Sequence, residues 1–180
     1  MIRALIKSGF RRFGARYNYD TSYMGHVADT STSAGLRLAI LPLYSQFRGP
    51  KDAQSVWAGA LLASTLDGDC GSCGQLIVDI AIEAEVPQKQ LALCLEGNAT
   101  AAGDVGLGFR FSQAVLANTP ELEILRDEIK TRFGPAAVTA ASFAASGGRV
   151  YPVLKRGLGF DQTCIRVKVG EKTMTVVPSS

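Results

Sequence analysis

Two thiols and three carboxylates fall together in one stretch of the chain, Asp67-Gly68-Asp69-Cys70-Gly71-Ser72-Cys73-Gly74-Gln75-Leu76-Ile77-Val78-Asp79-Ile80. Asp67-Gly68-Asp69 reads as a turn that ends in a helix N-cap, with Asp69 as the capping residue. Cys70-x-x-Cys73 follows and runs directly into an apolar helical pattern, which places both thiols in the first turn of a helix. Unpaired backbone N–H groups and the positive end of the helix dipole favour a thiolate there. The thiolate is the nucleophile of cysteine chemistry and the species that attacks a disulfide. Residues three apart on a helix also lie close enough for their sulfurs to bridge. The plain alternative is a pair of small buried cysteines that do no chemistry. Zinc is disfavoured: Cys94 and Cys164 stand alone and His26 is the sole histidine, so nothing completes a tetrahedral ligand set. Neither a metal nor an organic cofactor is expected, because the electrons of a CxxC reaction come from the thiols.

The helix carrying this motif is expected from about residue 70 to 85. Projected at about 100° per residue, Cys73, Ile77 and Ile80 share one face, and Ser72, Gln75, Asp79 and Glu83 form a polar stripe. Cys73 thus points to the buried side and Cys70 sits at the helix mouth. A carboxylate near a thiol can act as a general base through water. Asp69 and Asp79 are the candidates for that role. The simpler roles are capping for Asp69 and a solvated or subunit-facing stripe for Asp79.

The flanking elements read as helices. Residues 53–66 hold no ionisable side chain and predict a largely buried helix, with Asp52 placed to cap it. Upstream, residues 34–47 read as a helix kinked at Pro42 or as two short ones, and residues 18–33 as loop with one short helix. Residues 1–17 carry an apolar series at three- and four-residue steps (Ile2, Ile6, Phe10, Phe13, Tyr17) among five basic residues, with no acid before Asp20. That pattern suits a terminal helix packed on its own domain or a neighbouring subunit. A basic amphipathic helix is also compatible with an anionic membrane surface, which is the less favoured reading. Downstream come a short helix at 88–95 with Gly97 as its C-cap, a flexible link at 99–106, and a helix at 107–117. Another opens at Thr119-Pro120, and an alanine-rich helix at 136–145 and a helical piece at 150–158 follow. Residues 164–169 and 173–177 alternate as strands about Gly170-Glu171-Lys172, a hairpin.

At 180 residues, with 47% hydrophobic and 19% charged residues, the chain is expected to form one helical domain with a sizeable core. Residues 1–50 read as N-terminal extension helices, 51–160 as the core and 161–180 as the hairpin tail. No apolar run approaches the roughly 18 residues of a membrane span. The first residues lack the continuous apolar region of a signal peptide, so a cytoplasmic protein is expected. A net charge of +3, most of its excess in the first twenty residues, is too small to imply nucleic acid.

The succession of helix, turn, CxxC-opened helix, short helix ending near Gly97 and further helices resembles the alkyl hydroperoxidase D and carboxymuconolactone decarboxylase superfamily. The likeness covers about residues 51–160 and is strongest at 67–86 and at Leu125-Arg126-Asp127-Glu128-Ile129-Lys130-Thr131-Arg132-Phe133-Gly134. It implies an all-α fold, an alkyl hydroperoxidase D-like helical bundle here extended by a small C-terminal β-hairpin, and a homo-oligomer, most simply a closed symmetric one. Alanine-rich faces such as 136–145 would lie between subunits. The implied activity is thiol-dependent reduction of a peroxide, or disulfide exchange with a partner protein, with a protein thiol as reductant. By the resemblance Cys73 matches the attacking cysteine and Cys70 the resolving one, although position alone makes Cys70 the more exposed. Two family positions differ. The histidine expected four residues after the second cysteine is Ile77, and the glutamate expected about twelve residues before the first is Ala58. The chain therefore reads as a CxxC thiol-disulfide oxidoreductase or peroxidase with an altered proton relay. The alternative is a non-catalytic helical oligomer serving as a binding or scaffold protein.

Overall fold

The computed structural model describes residues 1–68, 71–160 and 166–175. In chain order the elements begin with α1 (Ile2–Tyr17), α2 (Ser22–Thr30), α3 (Thr32–Ile40), α4 (Pro42–Ser45) and a 3-10 turn (Lys51–Ala53). Then come α5 (Gln54–Asp67), α6 (Gly71–Glu83), α7 (Gln88–Leu95), a second 3-10 turn (Ala99–Ala101) and α8 (Gly103–Ala117). The chain continues through α9 (Leu122–Phe133), α10 (Pro135–Gly147), α11 (Val150–Gly157) and the strands β1 (Arg166–Val169) and β2 (Lys172–Thr175). The fold is all-α with a small C-terminal hairpin, as the sequence predicts. Among the described residues no helix is long and apolar enough to cross a membrane.

The core is built around α5, which is buried without interruption from Val56 to Thr65. A helix with no polar face has to be covered on every side. Helix α8 covers one side at very short range, made possible by glycine. A Cβ on Gly59 would sit 2.0 Å from the Val105 carbonyl oxygen, and one on Gly108 would sit 2.0 Å from that of Val56. Helix α10 covers a second side with Ala137, Ala141 and Ala144. The alanine-rich face expected between subunits is thus used inside the chain, where small side chains let helices approach. Helix α6 covers a third side with Ile77, Val78, Ile80 and Ala81. The hairpin lies against α6, with Val167, Val169 and Met174 buried. Its register pairs Arg166 with Thr175 and Val169 with Lys172. The left-handed Gly170, at φ +59°, makes the tight turn.

The fourth side of α5 faces a separate layer made of α1 to α4. Ile6 and Phe10 of α1, Tyr23, Met24 and Ala28 of α2, and Leu38 of α3 form a second cluster. The apolar stripe of α1 therefore packs on its own domain from Ile6 to Tyr17, while Ile2 at its start is exposed. Its end is fastened to α6 through Glu83, which accepts from Tyr17 Oη at 2.7 Å and from Arg16 at 3.0 Å. Lys7 pairs with Asp29 of α2 at 2.6 Å. Exposed ion pairs of this kind contribute little because solvent screens them, whereas burying Ile6 and Phe10 is worth ~1.5–3 kcal/mol apiece. Packing holds α1 down and the charges set its register. Helix α4 is joined to α5 by Trp57 Nε1 donating to the Ser45 carbonyl at 3.1 Å, and to α10 by Tyr44 stacked on Phe143 at 4.4 Å.

Four local expectations are corrected. Residues 18–33 are more helical than loop-like, because Tyr23, Met24, Val27 and Ala28 give α2 an inward face. Asp52 caps nothing: it lies in the 3-10 turn, and α5 starts without a side-chain cap. Residues 99–106 are not a flexible link, since Gly106 belongs to α8 and packs within 1.9 Å (measured to an added Cβ) of the Ala99 carbonyl oxygen. The helix expected to open at Thr119 begins at Leu122, with no hydrogen-bond partner for Thr119 Oγ1.

The glycine crossing makes a contrast that equilibrium unfolding in urea can read. Gly108→Ala drives a methyl into backbone and should cost at least the ~1–3 kcal/mol of ordinary overpacking. Gly9→Ala, where nothing lies within 4 Å of an added Cβ, should gain up to ~1 kcal/mol of helix propensity. Equal effects at the two sites would contradict this account of the α5–α8 contact.

Candidate functional site

Cys73 sits in the first turn of α6, on the face turned toward the N-terminal layer, and is 2% exposed. The chain after α1 turns at Asn18, in the left-handed conformation at φ 47°, and this brings Tyr19 back over α6. The Tyr19 hydroxyl lies 3.3 Å from Cys73 Sγ and 3.3 Å from the Tyr23 hydroxyl. Burial, aided by the neighbouring Tyr23 and Cys73, pushes the Tyr19 phenol far above its ordinary range, so it holds its proton. Toward a thiolate it can only be the donor.

A cation completes the cluster. Lys155 of α11 is 3% exposed, and its Nζ donates to Ser72 Oγ at 3.2 Å. The ammonium stands 5.4 Å from the Tyr19 ring centroid and 5.6 Å from that of Tyr23. A desolvated cation over aromatic faces gains ~2 kcal/mol, against a desolvation cost of several kcal/mol. The rings therefore offset only part of the cost of burying this charge, and the hydrogen bond to Ser72 offsets a further part. Helix α11 is held in place by Arg156 donating to the Gly68 carbonyl at 2.6 Å, and the turn before it by Arg149 on Asp67 at 2.9 Å.

Tyr19, Tyr23 and Cys73 of this cluster form part of the wall of a cavity of about 620 Å³ between the N-terminal layer and α5, α6 and α10, with Ser72 and Lys155 behind them. The lining is mostly apolar: Phe10, Phe13, Leu38, Leu61, Ile77 and Ile80 are representative. Arg16, Arg48 and Gln46 are among its polar members. Tyr151, also in the lining, has its phenol pushed up to about 12 by burial.

Among the residues singled out from sequence, Asp69 and Cys70 lie outside the described residues. Cys73 is in the cluster. Asp79 is on another stripe of α6, where Gln75 Nε2 donates to its Oδ1 at 2.8 Å. Gln75 in turn holds the hairpin, accepting from the Lys168 N–H at 2.6 Å and donating to the Lys168 carbonyl at 3.1 Å. Burial, opposed by Gln75, raises the Asp79 carboxyl. Asp79 does not line the cavity. Ile77 lines it, and Ala58 is fully buried within α5. The sequence reading missed Tyr19, Tyr23, Ser72 and Lys155. The available signal was three tyrosines at 17, 19 and 23 and a lysine one turn beyond Tyr151 on an apolar face. Among the described residues no group of three or more His, Cys, Asp or Glu could hold a metal ion. No family model, curated protein or solved structure matches this chain.

Cys94 is an internal control for the cluster. Burial among apolar groups pushes its thiol up from near 9 to about 12, so at pH 8 its thiolate is on the order of one part in ten thousand. Because the folded value is raised, the associated stability is complete below about 9 and is lost as pH rises toward about 12. At pH 8 iodoacetamide should modify Cys73 and spare Cys94 until the protein unfolds. Tyr19→Phe should slow Cys73 modification about tenfold, the loss of one hydrogen bond to a charged group. Peptide-resolved mass spectrometry reads both. An unchanged Cys73 rate in Tyr19→Phe would remove the hydroxyl from the account.

Proposed function

We propose that the protein is a thiol-dependent oxidoreductase in which Cys73 attacks a peroxide or disulfide bound in the cavity. The observation that carries this reading is the Tyr19 hydroxyl 3.3 Å from Cys73 Sγ at the wall of a large apolar cavity. The resemblance to the alkyl hydroperoxidase D superfamily supports it from the sequence side. In this reading Tyr19, Tyr23 and Lys155 take the place of the relay whose positions hold Ile77 and Ala58.

With a hydroperoxide, Cys73 sulfur attacks the terminal oxygen and the O–O bond breaks. Cysteine becomes a sulfenic acid, the thiol proton ends on the leaving oxygen, and an alcohol is released. Tyr19 serves that transfer by accepting the sulfur's proton as it gives its own. The Cys70 thiol then attacks the sulfenic sulfur, releasing water and forming a disulfide. An external dithiol reduces the pair and is itself oxidised to a disulfide. The Lys155 charge stabilises the thiolate and the negative charge that develops on the leaving oxygen.

Turnover of an organic hydroperoxide with a dithiol reductant tests the reading. Cys73→Ser should abolish it, Cys70→Ser should stop it after one turnover, and Tyr19→Phe should lower the rate at least about tenfold, the loss of one hydrogen bond to a charged group. The same background rate in wild type and Cys73→Ser would end the oxidoreductase reading. The second reading, a non-catalytic self-associating scaffold, is favoured by the exposed Leu36, Ile40 and Leu43 of α3 and α4. It would then take precedence, with a concentration-dependent mass by light scattering as its mark.

A further inference from the structure

The cavity has a direction. Helix α6 lines it from Cys73 in its first turn to Ile80, and beyond Ile80 Glu83 and Tyr17 lie near enough to Arg48 to feel its charge. From Cys73 to Glu83 along α6 is about 15 Å at the helical rise of ~1.5 Å per residue. One end therefore carries the thiol cluster. The other carries Arg48, whose guanidinium stands 4.7 Å from the Trp57 ring centroid and donates to Gln46 Oε1 at 3.2 Å. Between them the walls are apolar, including Leu61, Leu76, Ile77 and Ile80.

The two guanidinium groups of the lining differ. Arg16 is already paired with Glu83 in two hydrogen bonds. Arg48 is half-buried and forms no ion pair among the described residues; its guanidinium donates to a neutral amide, and Glu83 feels its charge only at longer range. An arginine fork at the edge of a large, mostly apolar chamber matches a carboxylate on a long hydrocarbon chain. A volume of about 620 Å³ is within the on-the-order-of 300–1,000 Å³ of small-molecule sites.

We infer that the cavity binds a long-chain carboxylate, its head on Arg48 and its chain along Ile80, Ile77 and Leu76 toward Cys73. This rests on the same cavity as the oxidoreductase reading and names its substrate class, an amphiphile whose reacting group lies far from its head. Orientation then has a function, since an anchored head sets which part of the chain meets the sulfur.

The test separates binding from chemistry by using Cys73→Ser protein and displacement of cis-parinaric acid. Oleate should displace the reporter at micromolar concentration, with oleyl alcohol and lyso-phosphatidylcholine at least about tenfold weaker. Arg48→Met, which keeps the stem packed on Trp57, should weaken oleate about tenfold or more and leave the alcohol unchanged, the loss of one charge-assisted contact. Ile77→Trp, with folding checked by circular dichroism, should abolish all three by filling the chamber. Failure of oleate to bind folded protein, equal affinity for acid and alcohol, tighter binding of the lysolipid, or indifference to Arg48→Met would each overturn the inference. None of these results bears on whether wild-type Cys73 turns over a peroxide, so the two proposals fail separately.

Discussion

Everything in this fold follows from a helix that has no outside. From Val56 to Leu66, α5 carries no charged side chain, and its two polar residues, Ser64 and Thr65, bond to backbone carbonyls, so it must be enclosed. Two of its sides are enclosed by residues that are small or lack a side chain, glycine against α8 and alanine against α10, and a third by the larger aliphatic face of α6. Close-packed crossings of this kind leave little void. The fourth side is covered by the aromatic-rich layer of α1 to α4, which meets the core through Trp57, Tyr44 and Glu83. Large side chains bracing two layers at a few points hold them apart between those points, and the cavity is the space that remains.

The same arrangement explains where the polar groups went. A thiol, two phenols and an ammonium are buried together because each supplies what the next lacks: Tyr19 stands between Cys73 and Tyr23, and Lys155 lies over both rings and reaches Ser72. Polar groups buried in apolar surroundings persist when they are mutually satisfied. Cys94 shows the contrast, a thiol buried among apolar groups and held protonated by that burial alone.

Much of the fold was legible in the sequence because it depends on local pattern. The unbroken apolar run of α5, the face of α6 shared by Cys73, Ile77 and Ile80, the glycine after α7 and the hairpin about Gly170 each follow from periodicity or backbone freedom. The errors came where a residue's role is tertiary. Gly106 looks like flexibility in a string of letters and is spacing in three dimensions. The alanines of α10 look equally suited to a subunit interface or to the interior, and only the position of α5 decides between them. Of the site, Cys73 could be read, since its chemistry and its helix position are both local. Its partners could not. Tyr19 reaches Cys73 across 54 positions and Ser72 is separated from Lys155 by 83, and a polar stripe containing Asp79 gives no sign that it will be spent on the hairpin.

The account comes down to whether Cys73 is the sulfur that an oxidant meets in the cavity. The most direct measurement is to expose Cys70→Ser protein to one equivalent of an organic hydroperoxide with dimedone present, and to map the adduct by mass spectrometry. The account predicts a sulfenic acid trapped on Cys73, with Cys94 unmodified and the yield reduced in a Cys70→Ser/Tyr19→Phe protein. Absence of an adduct at Cys73, or one shared equally with Cys94, would contradict it.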